Sequence, residues 1–534
     1  MKMFQGKSIT ISTILFIIVT ALLISLPNAF SSGPCYPDGQ RYAFNGILLH
    51  DMIRDGAIFH PIEYTEKFYA RYPATNLPYG PPFFALIFAA AFSIFGVSFS
   101  VGRCIVAVYT VLAALMCWYL VYNQTKTYLQ SIFAVAGFLC APIIAICARD
   151  PGPELPVAFY SFLATYFFYN YIERDRNFFG LCGALILGLG YLTKQYVVPL
   201  GLVVPLYILV RKKWYLLKRF ESWLALIILA SFTVPYTLFT FQCSTEGMGF
   251  FTLPPVTFEL ISKYPKLLIT EMPVFSVLTC LGIIIGMYKR SRPVLFSLLW
   301  MLSWYMFHTF YFGHYIGSRY LSLLYPAMIL PFSLACYEIT IASRKLRLDK
   351  AFVCVITFWL LFSTISTPVF FVRGYEEAGK YVGKHLNTKS VLFYGEYDGS
   401  FMMGLRRRVP RGSPFVLRGD RQLAVRYWFG GVKKFYVNSV EDIIELLTRY
   451  RTGYVVVERD NKKMSKFAEY NLLLEAVKLR EYFTNIASFP IRSNYTSLGS
   501  EVVVYRFHHD FKGKDKFTVE IPVPTLNRNI RISL

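Results

Sequence analysis

Three carboxylates in this chain lie beside long apolar runs. Asp38 occurs in Cys35-Tyr36-Pro37-Asp38-Gly39-Gln40-Arg41-Tyr42, and Asp150 and Glu154 occur in Arg149-Asp150-Pro151-Gly152-Pro153-Glu154. An ionised side chain in such a place is costly unless it is solvated, paired or used, so each is a candidate site residue. A carboxylate there can take the proton of an attacking hydroxyl, a general-base role worth roughly 10² to 10⁴ in rate. Two cations are placed comparably: Lys194 directly follows the run at 178–193, and Arg319 directly precedes the one at 320–342. Cations at that end of the spans suit an anionic ligand such as a phosphate. Each residue also has a structural explanation. Asp38 can cap an amphipathic helix over 39–54, and Asp150 and Glu154 can sit at a helix N-terminus, which favours a carboxylate by a few tenths to about 1 kcal/mol. Lys194 and Arg319 can reach lipid headgroups along their apolar stems.

The elements that must hold these residues are mostly apolar. Of the 534 residues 55% are hydrophobic and 16% charged, against about a quarter charged in a soluble protein, so much of the surface faces lipid. Apolar runs occur at 9–26, 81–97, 101–122, 129–147, 155–171, 178–193, 196–210, 222–241, 272–288, 294–310, 320–342 and 351–372. Many approach the roughly 20 helical residues that cross a hydrocarbon core of about 30 Å. If all twelve cross, three basic loops around Arg211 to Arg219, Lys289 to Arg292 and Arg344 to Lys350 fall outside, against the positive-inside rule. Removing one crossing brings all three into the cytoplasm. The run at 81–97 follows Gly80 and opens on Pro81-Pro82, which suits a helix lying in the outer interface or re-entering it. The sequence therefore predicts eleven spans of a multi-pass plasma (inner) membrane protein, with the N-terminus cytoplasmic and the C-terminal domain outside. The first run, behind Lys2 and Lys7, reads as a retained anchor, because Asn28-Ala29-Phe30-Ser31 matches a cleavage site poorly.

Residues 1–372 are expected to form the transmembrane catalytic domain and 373–534 an extracytoplasmic α/β accessory domain. In the latter, 391–394, 415–417, 434–437 and 454–457 read as short buried strands, and 439–451 as a helix capped by Ser439 with Asp442 three residues on. No phosphate-binding glycine loop is present, so nothing there argues for a nucleotide. The formal charge of +23 is spread over short loops rather than one stripe, which argues against nucleic acid. Most cysteines lie inside spans as small apolar groups, and no C-x-x-C pair suggests a metal. Only Cys35 and Cys243 fall in expected outer loops, so one disulfide between them is compatible with the topology.

The order of these residues resembles a family. Tyr36-Pro37-Asp38 with Tyr42, Pro81-Pro82 with Phe95-Gly96 and Arg103, Ala148-Arg149 with Glu154-Leu155-Pro156, Leu192-Thr193-Lys194, and Arg319-Tyr320 with Pro326 look like the protein-mannosyltransferase and aminoarabinose-transferase type of GT-C glycosyltransferase. The resemblance implies a mainly α, polytopic GT-C fold of about eleven spans plus interfacial helices, with a soluble α/β domain on the outer side. It implies inverting transfer of a sugar from a polyprenyl-phosphate donor in the membrane lipid to a hydroxyl or amine-bearing glycan, lipid or protein acceptor. On that resemblance Asp38 is the base, Glu154 or Asp150 orients acceptor or base, and Lys194 and Arg319, with His314, bind the leaving phosphate. A divalent cation is compatible with the two acids and not demanded by them. Two positions depart from the family: Gly39 stands where a second acid often follows, and Asp150 is extra. The W-W-D-Y-G signature of whole-oligosaccharide transfer is missing. The competing class is a multi-pass transporter or lipid flippase, for which an internal repeat and mid-membrane charges are expected; neither is visible.

Overall fold

The computed structural model describes residues 2–30, 33–34, 36–76, 80–247, 257–310, 317–386, 388–409, 414–426, 432–495, 497–508, 518–523 and 528–533. Its first part is helical: α1 (Lys2–Ser25), α2 (Pro37–Arg54), α3 (Pro61–Arg71), α4 (Pro82–Phe95), α5 (Phe99–Thr125), α6 (Tyr128–Leu139), α7 (Pro142–Ala148) and α8 (Glu154–Arg174), then α9 (Asn177–Tyr191), α10 (Val198–Val210), α11 (Phe220–Gly247), α12 (Phe258–Glu271), α13 (Pro273–Tyr288), α14 (Arg292–Phe310), α15 (Tyr325–Arg344) and α16 (Asp349–Ser366). Each expected span is helical over most of its length, but 129–147 is divided at 140–141, 320–342 opens on a 3₁₀ turn and the last run leaves the helix after Ser366. Proline sets two breaks: α6 and α7 meet at 66° ahead of Pro142, and α12 and α13 at 112° ahead of Pro273. Among the described residues four helices are long and apolar enough to cross a membrane, six if each bent pair counts as one, and shorter apolar helices fill 10–25, 82–95, 177–191 and 195–210. The chain is a multi-pass membrane protein. Its helices leave apolar side chains such as Phe220, Ile227 and Leu238 on α11 and Phe358 and Ile365 on α16 exposed, as lipid-facing surfaces do.

The helix over 82–95 packs chiefly on α2, with a smaller contact to α5. Gly46 permits this, because a Cβ there would lie 2.4 Å from that of Phe88. At the end of the bundle that carries the basic loops, Glu173 collects Arg211 at 3.0 Å, Arg292 at 2.9 Å and the Tyr207 hydroxyl at 2.9 Å.

The rest of the chain alternates β1 (Val372–Arg373), α17 (Tyr375–His385), β2 (Ser390–Tyr394), α18 (Asp398–Arg408), β3 (Phe415–Arg418), α19 (Gly419–Gln422), β4 (Ala424–Arg426), β5 (Val432–Phe435), α20 (Val440–Arg449), β6 (Thr452–Arg459), α21 (Ala468–Ala476), β7 (Phe483–Pro490), β8 (Arg492–Ser493), β9 (Glu501–Phe507), β10 (Thr518–Val523) and β11 (Arg528–Ser533). Five strands form one sheet in the order β3-β2-β6-β9-β7, with β2 parallel to β3 and β6 and the remaining pairs antiparallel. All of β2 is buried and only the last residue of β6 is not, as befits central strands covered on both faces. The capping box is present: Ser439 Oγ accepts the Asp442 amide at 3.2 Å and Asp442 accepts the Ser439 amide at 3.1 Å.

Candidate functional site

The helix that begins after Tyr36 carries the first acid. Pro37 takes its first position, where a missing N–H costs nothing, so the N-cap falls on Tyr36 and Asp38 lies inside the first turn. The capping role considered for Asp38 is thus corrected. Its carboxylate is instead gripped by Arg319, whose Nη1 donates to Oδ2. Arg319 lies in a short 3₁₀ turn over 318–323 just before α15, donates from Nη2 to the Tyr320 hydroxyl at 3.2 Å, and lies over that ring. The Asp38 side chain is 31% exposed and that of Arg319 25%, so a ligand can reach both.

The second acid pairs with the second cation. Glu154 is the first residue of α8, and its Oε1 accepts from Lys194 Nζ at 2.6 Å, with side-chain exposures of 9% and 8%. Burial alone would favour the neutral amine, but the Glu154 carboxylate beside it holds the Lys194 pKa above the ordinary lysine value. The ammonium also lies 5.1 to 5.9 Å from the ring centres of Tyr196, Tyr42 and Tyr320. These rings join the two ion pairs into one cluster and add cation–π stabilisation. Tyr42 is held neutral, its pKa pushed up to about 12 above all by burial, to which the charges of Glu154 and Asp38 add against the opposing Lys194 and Arg319. The sequence reading had not singled out Tyr42 or Tyr196 as site residues. For Tyr42 the signal was available: it follows Asp38 by four residues and so shares its helix face.

Asp150 lies near Glu154, a Cβ on Gly152 being 2.4 Å from Glu154 Oε2 and 3.5 Å from Asp150 Oδ2, and it holds the start of α2. Its Oδ1 accepts the Tyr36 amide at 3.1 Å, and a Cβ on Gly39 would come within 2.5 Å of its Oδ2. It therefore lies at the N-terminus of α2, where the helix dipole favours its charge, and fills the space a side chain at position 39 would need. Two of the motif arginines, Arg149 and Arg103, bind backbone carbonyls. Arg149 donates to the carbonyls of Ile24 at 2.9 Å and Pro368 at 3.3 Å, and Arg103 to those of Arg149 and Asn28, each at 3.1 Å. His314 and Cys35 lie outside the described residues. Among the described residues no three His, Cys, Asp or Glu side chains come together as metal ligands, and Asp38 and Glu154 are each matched by a cation.

Residues 79–239 match the family model of dolichyl-phosphate-mannose-protein mannosyltransferases. Among curated proteins no sequence match is found. The fold is that of ArnT from Cupriavidus metallidurans bound to undecaprenyl phosphate, at TM-score 0.60 and 14% identity over 94% of this chain and 99% of that one. Its apo form superposes at TM-score 0.61 with 14% identity, over 95% and 100%. The archaeal oligosaccharyltransferase AglB from Archaeoglobus fulgidus, in complex with an inhibitory peptide and a dolichol-phosphate, matches at TM-score 0.53 and 14% identity over 93% and 76%. The chain has the GT-C fold of membrane glycosyltransferases and resembles their protein-mannosyltransferase and ArnT types.

Proposed function

We propose that this protein is an inverting glycosyltransferase that moves a sugar from a polyprenyl-phosphate donor to an acceptor at the outer membrane face. One observation carries the reading: two carboxylate–cation pairs, one of them open to a ligand, stand together at one end of an apolar helical bundle. The acceptor oxygen attacks the anomeric carbon, its proton passes to Asp38, and the bond from that carbon to the phosphate oxygen breaks with its electron pair. Lys194 and Arg319 balance the charge growing on the leaving phosphate, the kind of preorganised stabilisation that lowers such barriers most. Glu154 fixes Lys194. The match to an ArnT bound to undecaprenyl phosphate and to an AglB with dolichol-phosphate supports a lipid-phosphate donor. The test is sugar transfer from polyprenyl-phosphate sugars by the purified protein in detergent, where no compartments exist. A transporter or flippase forms no product there. Mass spectrometry of lipid-linked sugars and surface glycans after gene deletion identifies sugar and acceptor.

In this site Arg319→Lys is expected to weaken use of the donor, because lysine lacks the planar pair of donors that fits a phosphate. Donor KM rises and protein yield stays constant. An unchanged donor KM returns Arg319 to a role at the lipid headgroups.

Orientation follows from the basic loops. Arg41 on α2 touches Asp398 in the sheet domain, so site and sheet domain share a side. The positive-inside rule makes that the outer side. A reporter fused after Val372 is expected to signal outside, and a cytoplasmic signal would restore the twelve-span arrangement.

A further inference from the structure

Helix α2 carries Asp38 but has little of its own to hold it still. Ten of its eighteen residues are buried, and like most helices in proteins it depends on packing. One side is covered by α4. The other is covered by α18, and three contacts spaced along α2 tie the two together. The Ser400 amide donates to Gln40 Oε1 at 2.7 Å, Arg41 donates to both Asp398 oxygens at 3.2 Å, and Arg406 meets Asp51 at 2.7 Å. The approach is close, since a Cβ on Gly399 would lie 2.7 Å from the Gln40 side chain.

Asp398 is the hub. It stands just past the carboxyl end of β2 as the first residue of α18, 3% exposed, and also accepts from Arg418 at 2.8 Å and from the Gly399 amide at 2.9 Å. Arg418, at the end of the parallel neighbour β3, is chelated by Asp420 at 2.9 and 2.7 Å and reaches the Pro73 carbonyl at 3.1 Å. In open α/β sheets the carboxyl ends of parallel strands are where ligands bind. Here that place is taken by Arg41, three residues beyond Asp38 and on its helix face. Adhesion alone would be served as well by apolar packing, since buried ion pairs add little net stability. Fixing a register is their best attested use.

We propose that the C-terminal domain is a working part of the transfer site, with Asp398 as a positioning residue that fixes the register of α2 and thereby the place of Asp38. The inference rests on the proposed function, because its effect is read in sugar transfer. A reacting group misplaced by about 1 Å costs up to about 10²-fold in rate, so a loosened clamp shows in kcat.

The experiment is a double-mutant cycle on the full-length protein with polyprenyl-phosphate sugar as donor: wild type, Asp398→Asn, Asp38→Asn and the double variant. Asp398→Asn is expected to lower kcat about tenfold or more with little change in donor KM, and to speed hydrogen exchange of α2 amides while those of α5 and α8 hold. In the Asp38→Asn background the same change is expected to cost less than about twofold, because residues acting as one unit are not additive. If Asp398→Asn folds poorly, Arg41→Lys replaces it in the cycle, keeping the charge and losing the two-point grip. Equal losses in both backgrounds, or faster exchange at unchanged kcat, overturn the positioning role and leave the proposed function standing. Full activity in Asp38→Asn overturns the base assignment and this inference together.

Discussion

Asp38→Asn is expected to lower sugar transfer by about 10² or more at constant protein yield and thermal stability. As a helix cap Asn serves about as well as Asp, so a cap would make the exchange nearly silent. The structure puts the cap at Tyr36 and aims Asp38 at Arg319. Because that pair is partly exposed, losing it costs little stability, and a selective loss of rate identifies chemistry rather than folding. Full transfer by Asp38→Asn would end the base assignment. The pH profile sharpens the test. Burial would raise the Asp38 pKa, but Arg319 beside it, with Lys194 and Arg41 farther off, brings it below the ordinary value of 3.8. The free protein therefore carries this carboxylate charged throughout the neutral range and loses the charge only on strong acidification. If the donor phosphate draws Arg319 to itself, the main force holding that pKa down weakens and the pKa rises in the complex. The acid limb of kcat, which reports the complex, is then expected at higher pH than that of kcat/KM, which reports the free protein. Coincident limbs would mean that Arg319 stays on Asp38 through turnover.

Much of the site was legible because charges beside apolar runs are rare. That rule marked Asp38, Glu154, Lys194 and Arg319 as candidates together with Asp150, the family resemblance gave them roles, and the fold pairs Asp38 with Arg319 and Glu154 with Lys194. The helices were legible for the same reason: a span must satisfy its backbone internally, so an apolar run has one conformation open to it. Three things were not legible. Asp150 and Glu154 differ by four residues in one turn, and the space Asp150 takes at the end of α2 is open only because Gly39, far from it in sequence, has no side chain. The grip of α18 on α2 joins Arg41 to Asp398 across 357 residues, and no local pattern encodes it. Tyr196 looked like an ordinary apolar-run residue, because its role depends on the ammonium of Lys194 lying over its ring.

The Glu154 and Lys194 pair yields the second large effect. Both side chains are buried, so Lys194→Ala leaves a carboxylate with no countercharge, which costs about 3 to 5 kcal/mol in comparable buried pairs. Against a usual total of roughly 5 to 15 kcal/mol that is a severe loss, so Lys194→Ala is expected to fail in stability as well as activity. Glu154→Gln is milder, since Lys194 keeps a hydrogen-bond acceptor and three tyrosine rings. It is expected to retain its fold while transfer falls. The joint change Glu154→Gln with Lys194→Met removes both charges and is expected to recover most of the melting temperature lost in Lys194→Ala. Transfer is not expected to return, because no ammonium remains to meet the phosphate. Asp150→Asn keeps an acceptor for the Tyr36 amide and is expected to lose less activity than Glu154→Gln. Melting temperature and donor turnover, measured on matched amounts of the four variants, decide the matter. Recovered transfer in the joint variant would make the pair structural, and a deeper loss in Asp150→Asn than in Glu154→Gln would move the second acid of the site to Asp150.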